Sequence, residues 1–290
     1  LDSMNQMMCG YVAFEGFEYA RHNIELIAAS INSDGFLPIC SPTFDDKFII
    51  PFFNLMFVKQ VSDYIDASGD YSIHEIVDKP IHDMMKNFQN RLTKDHLIPV
   101  FERPQFWNFY EWADESDGNQ ISVENSLKQE QYDLTINTAF CYAVSYYNKM
   151  YEKNIDISQT IKAIKGTFYD EERNVFKLTT NTKSYSQLGN ALACLIGLGN
   201  DKLLDQIKND PNMILATLSV RTFVYDALLM NKNNKDYVIE DIKTRYKKML
   251  DAGATSFWET EKGEADFNNA GSLCHGWSCI PVYYFDLLLK

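Results

Sequence analysis

Apolar residues recur along this chain at three- and four-residue steps, a spacing that lines them up on one face of an α-helix. Phe14, Phe17, Ile24, Ile27, Ala28 and Ile31 form such a stripe, and Asn32-Ser33-Asp34-Gly35 ends it, because Asn and Gly accept the left-handed backbone of a helix terminus. Met56, Phe57, Val61 and Tyr64 form a second stripe. Ile73, Ile76, Val77, Ile81, Met84, Met85 and Phe88 form a third, with Pro80 inside it, where proline is expected to kink or split the helix. Four more follow: Ile136 to Met150, Leu188 to Ile196, Leu215 to Leu228, and Val238 to Met249. Strand-like runs are short, Leu97–Phe101 and Asn174–Leu178. The polar connectors Ser68-Gly69-Asp70, Gly199-Asn200-Asp201 and Asn231–Lys235 are equally short, so consecutive helices are expected to pack as antiparallel hairpins. No linker or composition shift divides the chain, and residues 1–290 read as a single all-α domain. Hairpins in series either close into a toroid or stay an open solenoid, and periodicity alone does not choose between them.

With 46% hydrophobic residues the chain can bury a large core, which excludes wholesale disorder. Lys+Arg 27 against Asp+Glu 40 gives a net charge of −13, a surface that repels phosphate backbones and acidic lipid heads. The densest basic run, Lys243, Arg245, Lys247 and Lys248, is interrupted, so neither nucleic acid nor membrane is an expected partner. No apolar stretch is long enough to span a bilayer. The six cysteines are scattered, form no CxxC pair and have no histidine at zinc-ligand spacing, so buried thiols and no metal are expected. No glycine-rich phosphate-binding pattern occurs, and no cofactor is implied. Leu1–Phe14 lacks the features of a signal peptide. Leu1 is not a start methionine and Tyr283–Lys290 stops within an apolar helical pattern, so the chain reads as a piece of a longer protein.

All four tryptophans fall in two loop-like segments, 101–118 and 253–277, each mixing aromatic rings with carboxylates. That combination suits a sugar, whose apolar faces stack on flat rings and whose hydroxyls bind carboxylates. It equally suits core tryptophans with their charged neighbours turned to solvent. Hydrolysis of a glycosidic bond needs two carboxyl groups, one protonated and one ionised, across the scissile bond. Glu259, beside Phe257 and Trp258, is the leading candidate; Glu111 and Asp114 come next, while Asp45–Asp46 and Glu171–Glu172 read as solvated loop residues. Cys274 and His275 are sequence neighbours with diverging side chains, a poor thiolate–imidazole pair. His22, His74, His82 and His96 sit in polar contexts and read as surface residues; His275, flanked by glycine, is either a core histidine or a hydroxyl-binding one.

The run Gly253-Ala254-Thr255-Ser256-Phe257-Trp258-Glu259, followed by Ala270-Gly271-Ser272-Leu273-Cys274-His275-Gly276-Trp277-Ser278, resembles the C-terminal signature of bacterial α-L-rhamnosidases, glycoside hydrolase family 78. Trp107-Asn108-Phe109-Tyr110-Glu111-Trp112 is similar to that family's W-x-F-x-D-W segment, with Glu111 where Asp is usual, and Asp2 to Tyr11 resembles a stretch of one branch. The likeness runs from Asp2 to Phe285. It implies an (α/α)6 toroid of helical hairpins, incomplete at its N-terminus, with a pocket for terminal α-L-rhamnose and inversion at the anomeric carbon. Glu259 would be the general base. Asp2, Trp107, Glu111, Trp112, Trp258, His275 and Trp277 would bind the substrate, a rhamnoside, in a bacterial cytoplasm or periplasm.

One departure matters. The family's general acid lies in a Cys-Pro-x-Arg-Glu segment, which occurs nowhere in these 290 residues, so a poorly active or inactive piece is expected. A toroid lacking a helix would also expose apolar surface and favour a homodimer. Two other readings stand beside this one. The first is another α-toroid glycosidase, such as an unsaturated glucuronyl hydrolase, for which Arg103 would be the cation at the aromatic cluster. The second is a helical scaffold that binds without turnover.

Overall fold

The computed structural model describes residues 1–43, 47–102, 104–118 and 131–290; Asp45, Asp46 and Arg103 lie outside the described residues. Eleven α-helices occur among them: α1 Asp2–Ala13, α2 Glu18–Ala29, α3 Pro51–Ser68, α4 His74–Asn90, α5 Leu134–Tyr151, α6 Ser158–Phe168, α7 Gln187–Ala193, α8 Asp201–Asn209, α9 Arg221–Leu229, α10 Lys235–Asp251 and α11 Pro281–Leu289. The odd-numbered helices form an inner ring. Helix α1 packs on α3, α3 on α5, α5 on α7 and α7 on α9, and α11 returns to α1. Tyr284 of α11 reaches α9, where its hydroxyl donates to Asp226 (2.6 Å) and to the Thr222 carbonyl (2.9 Å). Even-numbered helices pack outside, α2 against α1, α3 and α4, α6 against α5, α8 against α7 and α9, and α10 against α9 and α11. The architecture is an all-α toroid with six inner and five outer helices among the described residues.

The inner position explains the residue pattern. Helices α3, α5 and α7 are enclosed nearly all round, so polar residues such as Asn54, Gln60, Asn137 and Thr138 are as buried as the apolar ones. Outer helices such as α4 keep a single buried stripe, Val77, Ile81, Met84, Met85 and Phe88, and a polar far side.

Four inner helices carry a fully buried asparagine at their fourth residue, Asn5, Asn54, Asn137 and Asn190. Three of these clamp the incoming connector in one way. The side-chain oxygen accepts from a loop N–H, that of Leu37 (2.7 Å), Ile98 (2.7 Å) or Phe176 (2.7 Å). The amide nitrogen donates back to the carbonyl of the same loop residue and to the carbonyl four residues earlier on its own helix. Asn5 departs from the pattern: its nitrogen donates to the Ser219 (2.8 Å) and Trp277 (3.0 Å) carbonyls, on two different connectors. Replacing Asn137 by Ala should cost about 3 kcal/mol, because the buried N–H and C=O of Ile98 both lose their partner. Urea denaturation checks it; a loss below about 1 kcal/mol would mean the connector finds other partners.

Several expectations need correction. Pro80 neither ends nor splits α4, which runs through it, held by the buried stripe Val77, Ile81, Met84, Met85 and Phe88 on both sides of the proline. The stripe from Phe14 to Ile31 belongs to two elements: α1 ends at Ala13, Phe14 is exposed, and α2 starts at Glu18. Leu215 is exposed and precedes α9. Val175–Phe176 pairs with Tyr169–Asp170 as a two-residue hairpin, whereas Leu97–Phe101 forms only an isolated bridge, Pro99 to Tyr132. Only Cys9, Cys141 and Cys194 are buried; Cys40 and Cys274 lie exposed on connectors and Cys279 is half-buried. His74 and His82 are half-buried on α4, where His82 Nδ1 meets the Tyr147 hydroxyl at 2.9 Å. No described helix is long and apolar enough to cross a membrane.

Candidate active site

The connectors entering the inner helices meet at one rim. Trp107 donates its backbone N–H to the Ile49 carbonyl (2.8 Å), Thr217 donates to Glu111 (2.6 Å), and Asn5 binds both Ser219 and Trp277. Both tryptophan segments are therefore rim loops.

The first loop folds back on itself around Asn108, whose side chain accepts from the Phe101 N–H (3.1 Å) and donates to the Phe101 carbonyl (2.8 Å). Tyr110 N–H bonds the Ser116 carbonyl (2.9 Å), and Trp107 Nε1 donates to the Asp117 carbonyl (2.8 Å). This brings Trp107, Phe109 and Trp112 together, with centroids 4.6 Å apart for Trp107–Phe109 and 4.7 Å for Phe109–Trp112. Trp112 is exposed and lies edge-on to Phe267 at 5.1 Å, which joins the first loop to the second.

The second loop is zipped by His275 N–H to the Phe257 carbonyl (2.7 Å) and Glu259 N–H to the Ser272 carbonyl (2.8 Å). The Glu259 carboxylate accepts from the Ser272 N–H (3.2 Å), and its backbone carbonyl accepts from Trp277 Nε1 (2.9 Å). The His275 ring packs on Trp277 at 4.1 Å, and its Nδ1 caps the short turn Gly276–Ser278 by accepting from the Trp277 N–H. Asp2 Oδ1, at the start of α1, lies 3.7 Å from that same Nδ1. Glycine is required at Gly271 because a Cβ there would stand 2.0 Å from the Gly263 carbonyl oxygen, whereas at Gly276 a Cβ would displace only the end of the Gln6 side chain. Asp2, Glu259, His275 and Trp277 thus form one connected group. Trp258 is half-buried, packed on Gly263 and the core.

Glu111 is placed differently from the rest. It is 0% exposed, with one oxygen held by Thr217 and the other, Oε1, buried with no hydrogen-bond partner among the described residues. The enclosed carboxylate holds the Thr217 connector. Burial pushes its pKa up to about 7, with the Thr217 hydrogen bonds and Arg221 opposing. The raised folded value makes the neutral acid the favoured form: its contribution to stability is complete below the ordinary value of 4.5 and is lost as pH rises to about 7. The stability of wild type relative to Glu111→Gln should therefore fall by about 3 kcal/mol between pH 4.5 and about pH 8. Denaturant midpoints of both proteins across that range check it, and parallel profiles would show that Glu111 stays ionised when folded.

A cavity of about 290 Å³ opens between α1, α3 and the connector before α3, lined by Asp2, Ser3, Gln6, Phe53, Asn54 and Gln60 among others. Asp2 belongs to it and Glu259 does not, so the catalytic candidate sits beside this hollow. Asp2 Oδ1 and Asn5 Oδ1 are both buried without hydrogen-bond partners among the described residues. Asn5, Thr217, Ser219 and Phe267 were not anticipated as rim residues. The one available signal was the asparagine at matched helix positions in SMNQ, FFNL, TINT and LGNA. Asp114 is exposed. No group of three or more His, Cys, Asp or Glu able to hold a metal occurs among the described residues.

This architecture occurs in known structures. A rhamnosidase from Klebsiella oxytoca with rhamnose bound superposes with a TM-score of 0.81 at 17% identity, covering 100% of this chain and 58% of that one. The GH78 family rhamnosidase of Bacillus sp. GL1 does so at 0.81 and 16% identity, covering 98% of this chain and 31% of that one. The chain has the fold of these rhamnosidases. It spans less than two thirds of either protein. No protein-family model matches the sequence, and no curated protein does.

Proposed function

We propose that the chain is the carbohydrate-processing toroid of a glycoside hydrolase that removes terminal α-L-rhamnosyl groups with inversion. The observation that carries this reading is the grouping of Asp2, Glu259, His275 and Trp277 at the rim of a toroid shared with two rhamnosidases. Glu259 acts as general base. Its carboxylate is half-exposed and keeps a single backbone donor, so one oxygen is left to polarise a water. The His275 ring, backed by the buried Trp277, faces the deoxy-sugar, Trp112 and Phe267 close the rim beside it, and Asp2 binds hydroxyls from the cavity side. Trp107 backs Trp112, and Trp258 holds the turn that carries Glu259. Glu111 acts as a positioning residue for the connector at Thr217.

Inversion places the two carboxyl groups roughly 6.5–9.5 Å apart, leaving room for water. The proton donor of this pair is not among the residues grouped at the rim, so turnover of alkyl rhamnosides by this chain is expected to be slow. Titration with L-rhamnose followed by tryptophan fluorescence tests the binding half of the proposal. Saturation by L-rhamnose and not by D-glucose or D-glucuronate supports it. Preference for a uronic acid would favour the unsaturated glucuronyl hydrolase reading instead, and binding without turnover of any activated rhamnoside would favour a non-catalytic scaffold.

A further inference from the structure

Cys9 and Cys279 are 270 residues apart in sequence and adjacent in space. Cys9 stands on α1 and Cys279 just before α11, the two helices whose contact closes the inner ring. The Cys9 thiol donates to the Cys279 carbonyl at 3.1 Å, and the Cys279 thiol reaches the Asn5 carbonyl at 3.7 Å. Both line a cavity of about 590 Å³ between α1, the start of α2 and the start of α11, walled by Tyr11, Phe14, Tyr19, Phe257 and Val282. A small oxidant has room to reach the pair.

We propose that Cys9 and Cys279 form a dithiol site at the ring closure that is modified by a peroxide to a disulfide joining α1 to α11. The geometry supplies the two halves of the reaction. Cys279, half-buried, is the more accessible of the two. Its accessibility makes it the attacking sulfur; the neighbouring Cys9 thiol also lowers its pKa, while Cys279 and burial raise that of Cys9. The Cys279 thiolate attacks one peroxide oxygen, the O–O bond breaks, and hydroxide leaves; the product is a sulfenic acid on Cys279. The Cys9 sulfur then displaces that hydroxyl as water, its own proton going to the leaving oxygen. In sum two thiols and one hydrogen peroxide give one disulfide and two waters, with two electrons passing from sulfur to the peroxide. A cross-link over so long a stretch of chain restricts the unfolded state strongly.

The test treats the reduced, full chain with stoichiometric hydrogen peroxide and reads intact mass, a non-reducing peptide map and thermal unfolding. The expected result is a species lighter by two hydrogens, a Cys9–Cys279 linked peptide, and a melting temperature raised by several degrees, reversed by dithiothreitol. Cys9→Ser should stop at a sulfenic or more oxidised Cys279, and Cys279→Ser should lose the reaction at this site. Cys40 and Cys274, both exposed, serve as internal controls. Oxidation confined to those two, or a cross-link that includes either, would overturn the proposal. So would a linked Cys9–Cys279 peptide that also forms at the same rate in the urea-unfolded chain, since then the fold contributes nothing. None of these readouts depends on rhamnoside chemistry.

Discussion

Glu259→Gln should lose about 10²–10⁴-fold in turnover of a rhamnoside with an activated leaving group, while affinity for L-rhamnose changes less than about threefold. The substrate matters to the argument. A dinitrophenolate or fluoride departs without being protonated, so proton donation does not limit the rate and the proposed base is measured by itself. Gln matches Glu in size, and its oxygen can still accept from the Ser272 N–H, so the zipped loop and its bond to Trp277 stay intact. What is lost is the ability to take a proton from the attacking water. Equal melting temperatures for the two proteins would confirm that only chemistry changed. Undiminished turnover by the variant would remove Glu259 from the mechanism. Equal loss in binding and turnover would reassign it to holding the sugar.

Arg221→Ala should damage the fold strongly, at about 3–5 kcal/mol. Arg221 is the bulkiest of the fully enclosed side chains, 2% exposed at the start of α9. Its guanidinium donates to Gln187 Oε1 on α7 (2.8 Å) and to the Ala216 carbonyl (2.7 Å), and the same Gln187 oxygen accepts from the Ala216 N–H (3.0 Å). Truncation leaves a buried carbonyl unpaired, opens a void the size of the side chain, and removes a positive charge that opposes the rise in the Glu111 pKa. Above about pH 7, where Glu111 ionises, the loss should be smaller in a Glu111→Gln background, because no buried anion then needs compensation. Additive effects in that double-mutant cycle would show that the two groups do not communicate.

The sequence revealed elements of both layers unevenly. The apolar stripes of outer α4 and α10 were plain, and so were those of inner α3, α5 and α7. Outer α6 and α8 were missed because 11 and 9 residues leave few turns over which a stripe can repeat. Inner α1 was missed because its buried face, Met4, Met7, Met8 and Cys9, is interrupted by the polar Asn5. The two aromatic loops were visible as clusters, and so was the resemblance that named their chemistry. Their mutual arrangement was not visible. The Trp112–Phe267 contact and the 3.7 Å approach of Asp2 to His275 exist only once the ring has closed. Glu111 shows the limit most sharply: a carboxylate between two tryptophans looked like a sugar ligand, and its full enclosure came from the Thr217 connector folding over it from 106 residues away.

The asparagine clamps bear on how such a rim can diversify. Each of the three regular clamps grips a backbone N–H and C=O at one residue, Leu37, Ile98 or Phe176, and is indifferent to the side chain displayed there. Side chains at those anchor points can change without loosening the grip on the wheel of helices beneath. Whole connectors are less independent: Asn5 fastens those of Ser219 and Trp277, Glu111 ties the first aromatic loop to Thr217, and Trp107 ties it to Ile49, so linked spokes have to change together.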